Sequence, residues 1–120
     1  MSIIRSASRL LLSGIFISGG AQAFIEPGGR IKKVAEAGFP EPERAVEING
    51  AIMVVGGILL ASGIAPRLAA ALLIGTLVPT TFVGHPFWKV ENEVGRKNQL
   101  TQFFKNLGLL GGLLLVLIEK

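Results

Sequence analysis

The sequence predicts an all-α, polytopic membrane protein folded as a bundle of four transmembrane helices. Nearly all apolar residues fall into four runs close to the ~20 residues that cross a bilayer. The runs are about Ile3–Ile25, Val46–Ala65, Leu68–Phe87 and Phe103–Ile118. Half of the 120 residues are hydrophobic, and the mean hydropathy is +0.59. Because the runs lack the alternation of a membrane barrel, only helices satisfy their backbone groups in lipid, and we expect one domain over 1–120.

The first run also has the features of a secretory signal. Arg5 and Arg9 precede the short apolar stretch Leu10–Ile17, and Ala21-Gln22-Ala23 resembles a small-residue cleavage site. Cleavage there would deprive the three later spans of a packing partner. We therefore expect this segment to remain as the first helix.

A short surface helix is predicted between the first two spans. The segment Arg30–Gly38 places Ile31, Val34 and Ala35 on one helical face, while its charged residues face elsewhere. This pattern is typical of a helix that lies on the membrane surface. The two prolines that follow cannot continue the helix and predict a turn into span two.

Small residues spaced four apart predict close approach of helices. Span two carries Gly57, Ala61 and Ala65, and span four carries a GxxxG pair at Gly108 and Gly112. Packing within one chain is the first interpretation. Homodimerisation through the glycine pair, giving a homo-oligomer, is the alternative.

The third span contains a proline that predicts a kink. Pro79 removes a backbone donor, and the hydroxyls of Thr80 and Thr81 can bond back to carbonyls one turn earlier. Pro86 is then expected to end the helix and leave Trp88 at the water interface.

Composition excludes several classes of function. The chain has no cysteine, which rules out a disulfide framework, a thiol relay and a cysteine nucleophile on this chain. The net charge of +4 comes from residues scattered around helix ends, a pattern that favours anionic lipid headgroups over nucleic acid. No phosphate loop, nucleophile elbow or catalytic carboxylate pair is present, so we predict no catalytic residues and no independent enzyme.

One side of the bundle concentrates the chemistry. The connections 26–44 and 89–102 and the helix ends that they join form this side, which we call the loop face. It carries His85, every acidic residue apart from Glu119, and seven of the eight aromatic residues: Phe24, Phe39, Phe82, Phe87, Trp88, Phe103 and Phe104. An aromatic belt should be two-sided, which favours a binding surface here. The opposite end offers only the termini and the short Ala65-Pro66-Arg67 turn.

Five residues of the loop face are candidate site residues. Span three ends just where span four begins, so we expect His85, Trp88, Lys105 and Asn106 to converge on one pocket for a lipid or quinone-like ligand. Lys105 would supply charge, or would simply extend to the headgroups. Glu47 is either a first-turn acid favourable to the helix dipole or a partner for Lys105 or His85. A lone histidine predicts no metal site.

The distribution of basic residues predicts the orientation. The loop face has eight Lys and Arg residues: Arg30, Lys32, Lys33, Arg44, Lys89, Arg96, Lys97 and Lys105. The other end has four: Arg5, Arg9, Arg67 and Lys120. The positive-inside rule then predicts a multi-pass protein of the cell membrane with cytoplasmic long loops and both termini outside.

Four segments resemble a known family from about Arg9 to Leu115: AGFPEP, GGILLASGIAPRLAA, LVPTTFVGHPFW and FFKNLGLLGGLLL. Their order and spacing resemble the DoxX family of small four-helix membrane proteins, in particular its actinobacterial branch. The resemblance implies a four-helix bundle; some members are described as membrane subunits of thiosulfate:quinone oxidoreductase or of assemblies concerned with thiol and oxidative stress. Many members have a glutamate where this chain has Met53, ahead of the pair Gly56 and Gly57.

These observations favour a membrane accessory protein that binds a lipid or a partner subunit through its loop face. The alternative is a quinone-interacting membrane subunit of an oxidoreductase complex. The partners expected are therefore membrane lipids and, in the alternative, membrane or peripheral oxidoreductase subunits.

Overall fold

The computed structural model describes residues 2–119 and confirms an all-α bundle with four helices long and apolar enough to cross a membrane. These are α1 (Ile3–Ile25), α3 (Pro42–Ser62), α4 (Pro66–Gly84) and α5 (Glu93–Leu117). A short helix, α2 (Arg30–Glu36), follows α1, and a 3-10 turn (Phe87–Lys89) follows α4. The short helix predicted between the first two spans therefore forms, over Arg30–Glu36. No strand occurs within 2–119.

Two helices begin well before the apolar runs that predicted them. Helix α3 begins at Pro42, where a proline is tolerated because the first-turn amides have no helical acceptor anyway. Helix α5 begins at Glu93, capped by Asn92, whose Oδ1 accepts from the Gly95 amide at 3.1 Å. Polar first turns thus precede each apolar run. Consequently Glu43 is the first-turn acid of α3, and Glu47 lies a turn further along.

The helices pack in sequence, with α1 on α3, α3 on α4 and α4 on α5, while α1 and α5 touch only sparsely. Helix α2 packs against α3 and α4. The core is a cluster of buried apolar side chains from all four long helices: Phe16, Leu60, Ala69, Ala70, Leu73, Leu77, Leu113 and Val116. Burying these side chains against one another fixes the positions of the helix ends.

The closest helix approach is between α1 and α3 and depends on glycine. A Cβ built on Gly20 would lie 2.6 Å from the carbonyl oxygen of Gly50, and one on Gly57 would lie 2.6 Å from a side-chain carbon of Ile17. The predicted role of Gly57 is therefore confirmed. Only one glycine of the GxxxG pair in α5 faces another helix. A Cβ on Gly112 would lie 3.3 Å from Leu12, whereas one on Gly108 would meet nothing within 4 Å. The expectation that Gly108 packs within the chain was wrong.

Polar side chains inside the bundle link α3, α4 and α5. Helix α4 continues through Pro79, and the Thr81 hydroxyl donates to the Leu77 carbonyl at 2.7 Å, as its position predicted. The same hydroxyl oxygen accepts from the Asn106 amide at 3.0 Å. The Asn49 amide donates to the Thr80 hydroxyl oxygen at 3.1 Å. These hydrogen bonds hold two asparagines in the wall of the site described below.

An ionic cluster joins the helices at the end opposite the loop face. Arg9 of α1 is buried and donates to both carboxylate oxygens of Glu119, at 3.0 and 3.2 Å. Arg5 lies 3.4 Å from the same carboxylate, and Arg67 donates to the backbone carbonyl of Glu119. This ionic cluster was not predicted, because the partner of Arg9 lies 110 residues away in the chain.

Candidate functional site

A cavity of about 690 Å³ extends from the loop face into the bundle. Every helix contributes to its wall, and the loop after α1 contributes Pro27, Gly28 and Gly29. The volume lies within the ~300–1,000 Å³ that is usual for small-molecule sites. This cavity is therefore the candidate site.

The deep part of the cavity is apolar. Phe16 of α1 and Leu77 of α4 reach it from the core. Further apolar side chains line the cavity at other levels, including Val83 beside the end of α4: Ile15, Ile48, Ile52, Val83 and Leu109. Met53 also lines it, at the position where the family resemblance leads one to expect glutamate. No carboxylate lies on the wall, so the cavity interior suits a hydrocarbon chain.

Three of the five predicted site residues line this cavity, namely His85, Lys105 and Asn106. Asn49 and Thr80, which were not among the predicted site residues, also line it. Asn106 is buried and already donates to α4, and His85 Nδ1 lies 2.8 Å from Gln99 Oε1. Helix α5 thereby fixes the orientation of the imidazole. Whether these residues bind a ligand stays a prediction.

Two further cations in the wall come from α2, a source that sequence analysis did not connect with the site. Arg30 donates to the backbone carbonyl oxygens of Glu26 and Pro27, at 3.2 and 3.3 Å. Lys33 donates to the Gly84 carbonyl at 3.0 Å, linking α2 to the end of α4. The amphipathic pattern of α2 was visible in the sequence, but only the fold shows that α2 lies beside the cavity.

Trp88 lies outside the cavity wall, in an aromatic cluster at the corner between α4 and α5. Its ring centroid is 5.2 Å from Phe87, 6.0 Å from Phe103 and 6.1 Å from Phe82. The first two pairs are edge-to-face, the arrangement that aromatic quadrupoles favour. The 3-10 turn, which contains Trp88, is thus held against Phe82 of α4 and Phe103 of α5.

Glu47 is also separate from the cavity. It is exposed and borders a surface notch together with Glu41, Glu43 and Arg44. The structure therefore does not bring Glu47 together with Lys105 or His85.

The side chains of the wall are of types that can contact a small molecule through apolar, hydrogen-bonding and cationic groups. Within 2–119, no group of three or more His, Asp or Glu side chains could hold a metal ion. The wall combines a long apolar surface with hydrogen-bonding and cationic groups near the loop face, which is the pattern complementary to an amphiphile.

Comparison with known proteins finds one family and a bacterial membrane protein. The family model described as DoxX matches residues 4–86. The inner membrane protein YphA of Escherichia coli (strain K12) is 29% identical over 111 residues, which cover 92% of this chain and 79% of that protein. No solved structure gives a significant match. The family match ends before α5, which supplies Lys105 and Asn106.

Proposed function

Because the chain belongs to the DoxX family, we propose that it is an integral membrane accessory protein that holds a lipid-like amphiphile in the cavity at its loop face. The chain is a multi-pass membrane protein, with four apolar helices. The observation that carries the proposal is the cavity of about 690 Å³, apolar in depth and polar at the loop face. We further propose that it lies in the cell membrane with its loop face in the cytoplasm.

Binding of an amphiphile follows from how the wall is divided. An alkyl chain placed among Phe16, Ile52 and Leu77 would gain dispersion contacts with side chains held rigid by the core. The head would then lie beside His85 and Lys105, where hydrogen-bonding groups are available. Lipid of the surrounding bilayer is the nearest source of such a molecule.

A cavity-filling variant tests the proposal. Val83 lines the cavity and Val78, on the same helix, does not. Val83→Trp should displace the bound molecule, whereas Val78→Trp adds the same side chain at a position that is 39% exposed. The measurement is mass spectrometry of the lipids and other small amphiphiles that remain after purification in a mild detergent. The cavity is not a lipid site if both variants retain the parent's complement.

A quinone-interacting subunit of an oxidoreductase complex is the second candidate. The observation that favours it is the set of uncharged hydrogen-bonding groups in the wall, His85 and Asn106 above all, which suit the carbonyl oxygens of a quinone. Electrons would have to come from a partner subunit, since the chain has no cysteine. Quinone in the parent extract that Val83→Trp removes would support this function over plain lipid binding.

A further inference from the structure

We propose that the molecule bound in the cavity has an anionic head, a phosphate or a carboxylate, and that Arg30, Lys33 and Lys105 recognise it. This inference rests on the proposed function, because it names the chemical class of amphiphile that occupies the same cavity. It adds α2, which sequence analysis placed only at the membrane surface, to the binding machinery.

The charge of the cavity wall is unbalanced. The wall carries three fixed cations, Arg30, Lys33 and Lys105, and no carboxylate. The ion pairs formed within 2–119 lie elsewhere, with Glu119 at the opposite end and between Glu93 and Lys97. An anion placed among the three cations would supply the missing charge.

The hydrogen bonds of these cations are made to neutral acceptors. Lys33 bonds the Gly84 carbonyl at 3.0 Å, and Lys105 bonds the Gln102 side-chain oxygen at 2.5 Å. An ammonium group has three donors, and each of these lysines uses one of them in the described part of the chain. Bonds from ammonium or guanidinium groups to phosphate or carboxylate are about twice as strong as bonds between neutral groups. Because each lysine has two further ammonium donors, it can bind an anion without giving up its present contact.

The opposite end of the bundle shows how this chain treats a cation that serves only the fold. There Arg9 is buried and meets the carboxylate of Glu119 at 3.0 Å. At the cavity Arg30, Lys33 and Lys105 are exposed, and within 2–119 none of them forms an ion pair with a carboxylate. Because water solvates these three cations, an anionic head can take the place of that water without breaking an ion pair of the fold.

The fold also brings the cations together from separate elements. Arg30 and Lys33 lie one turn apart on α2, which packs on α3 and α4. Lys105 lies midway along α5, next to Asn106, which bonds Thr81 near the end of α4. Since Lys33 already bonds the last residue of α4, α2 is held over the same cavity that Lys105 borders. One head could therefore contact both elements.

The experiment uses the full-length protein in neutral maltoside micelles and native mass spectrometry. Three probes share the same acyl chains and differ only in the head: phosphatidic acid, phosphatidylcholine and diacylglycerol. Oleate provides a carboxylate head, and inorganic phosphate provides the anion without a tail. The parent should bind phosphatidic acid and oleate at least tenfold more tightly than the other three probes.

Matched double variants separate the cavity cations from general surface charge. Lys33→Gln with Lys105→Gln should reduce the preference for the anionic heads at least tenfold. The control, Lys32→Gln with Lys97→Gln, removes one charge from each of the same two helices at residues outside the wall, and it should keep the preference. Lys33→Arg with Lys105→Arg preserves the charges and should keep it too. Circular dichroism and unfolding in detergent check that each variant folds.

Three results would overturn the inference. The parent could show no preference among heads, the control pair could lose the preference as fully as the cavity pair, or inorganic phosphate could bind as tightly as phosphatidic acid. In each case Val83→Trp still tests the proposed function by itself. Loss of bound lipid in Val83→Trp without head selectivity would refute the inference alone, whereas no loss in Val83→Trp would refute the proposed function.

Discussion

Replacing Gly20 by alanine should destabilise the bundle, because α1 and α3 touch there backbone to backbone. The new Cβ would lie 2.6 Å from the carbonyl oxygen of Gly50 and 2.9 Å from side-chain carbons of Met53 and Val54. Real Cβ atoms do not approach other atoms this closely, and a backbone carbonyl cannot rotate away. The two helices must therefore move apart.

The size of the effect follows from two opposing contributions. Overpacking in a tight core costs about 1–3 kcal/mol, and the upper part of that range applies because the obstacle at Gly20 is backbone. Alanine gains about 1 kcal/mol over glycine in helix propensity. Gly14 lies on the same helix, and a Cβ there would meet nothing within 4 Å. Gly14→Ala should therefore show only the favourable change in helix propensity, without an overpacking cost. The free energies of unfolding of the two variants should therefore differ by about 3 kcal/mol.

Unfolding in mixed micelles of maltoside and increasing SDS, followed by far-ultraviolet circular dichroism, measures this difference. If the SDS-unfolded chain stays helical, alanine's helix propensity favours the folded and unfolded states equally and cancels in each variant. The free energies of unfolding of the two variants then still differ by about 3 kcal/mol. Equal midpoints for Gly20→Ala and Gly14→Ala would refute the claimed backbone contact between α1 and α3.

Three further predictions address the ends of the bundle and its orientation. Glu119→Gln should lower the free energy of unfolding by about 1.5–3 kcal/mol, the range for hydrogen bonds to charged groups. Glu93→Gln breaks an exposed ion pair of 3.3 Å and should change the free energy of unfolding by about 0.5 kcal/mol or less in the same experiment. Gly112→Leu should destabilise the bundle through its contact with α1, and equal melting of this variant and the parent would argue against that contact. Gly108→Leu should leave the stability of the monomer unchanged and should alter only the cross-linking yield if the chain dimerises. A single cysteine introduced by Glu93→Cys should resist a membrane-impermeant thiol reagent in intact cells and react after detergent is added, and labelling in intact cells would reverse the proposed orientation.

The fold could be predicted from the sequence because long apolar runs leave the backbone few choices in lipid. Helix α1 has the same bounds as the first run, Ile3–Ile25. The start of α5 was harder, since residues 93–102 are polar and their helical state depends on the Asn92 cap. Small residues predicted close packing, but not which of them face a neighbour. Gly57 meets α1 and Gly108 meets nothing, and only the rotation of each helix decides this.

The candidate site could be predicted only in part, because residues that neighbour one another at a helix end need not face one cavity. His85, Lys105 and Asn106 do line it, but Trp88 turns into the aromatic cluster and Glu47 into a surface notch. Arg30 and Lys33 line the cavity but were not among the site residues predicted from the sequence. Their place in the wall results from contacts of α2 with α3 and α4, which no local pattern encodes.

The position of the cavity follows from how α1 and α5 meet. At the end opposite the loop face they are joined, since Arg9 binds Glu119 and Leu12 lies against Gly112. Towards the loop face, Phe16 of α1 and Leu109 of α5 both line the cavity. The buried ion pair thus lies at the end where α1 contacts α5 and the residues that follow it, whereas the cations of the cavity wall have no carboxylate partner within 2–119. A ligand held in the cavity would contact both α1 and α5 on the side of the loop face, whereas the protein joins these two helices directly at the opposite end.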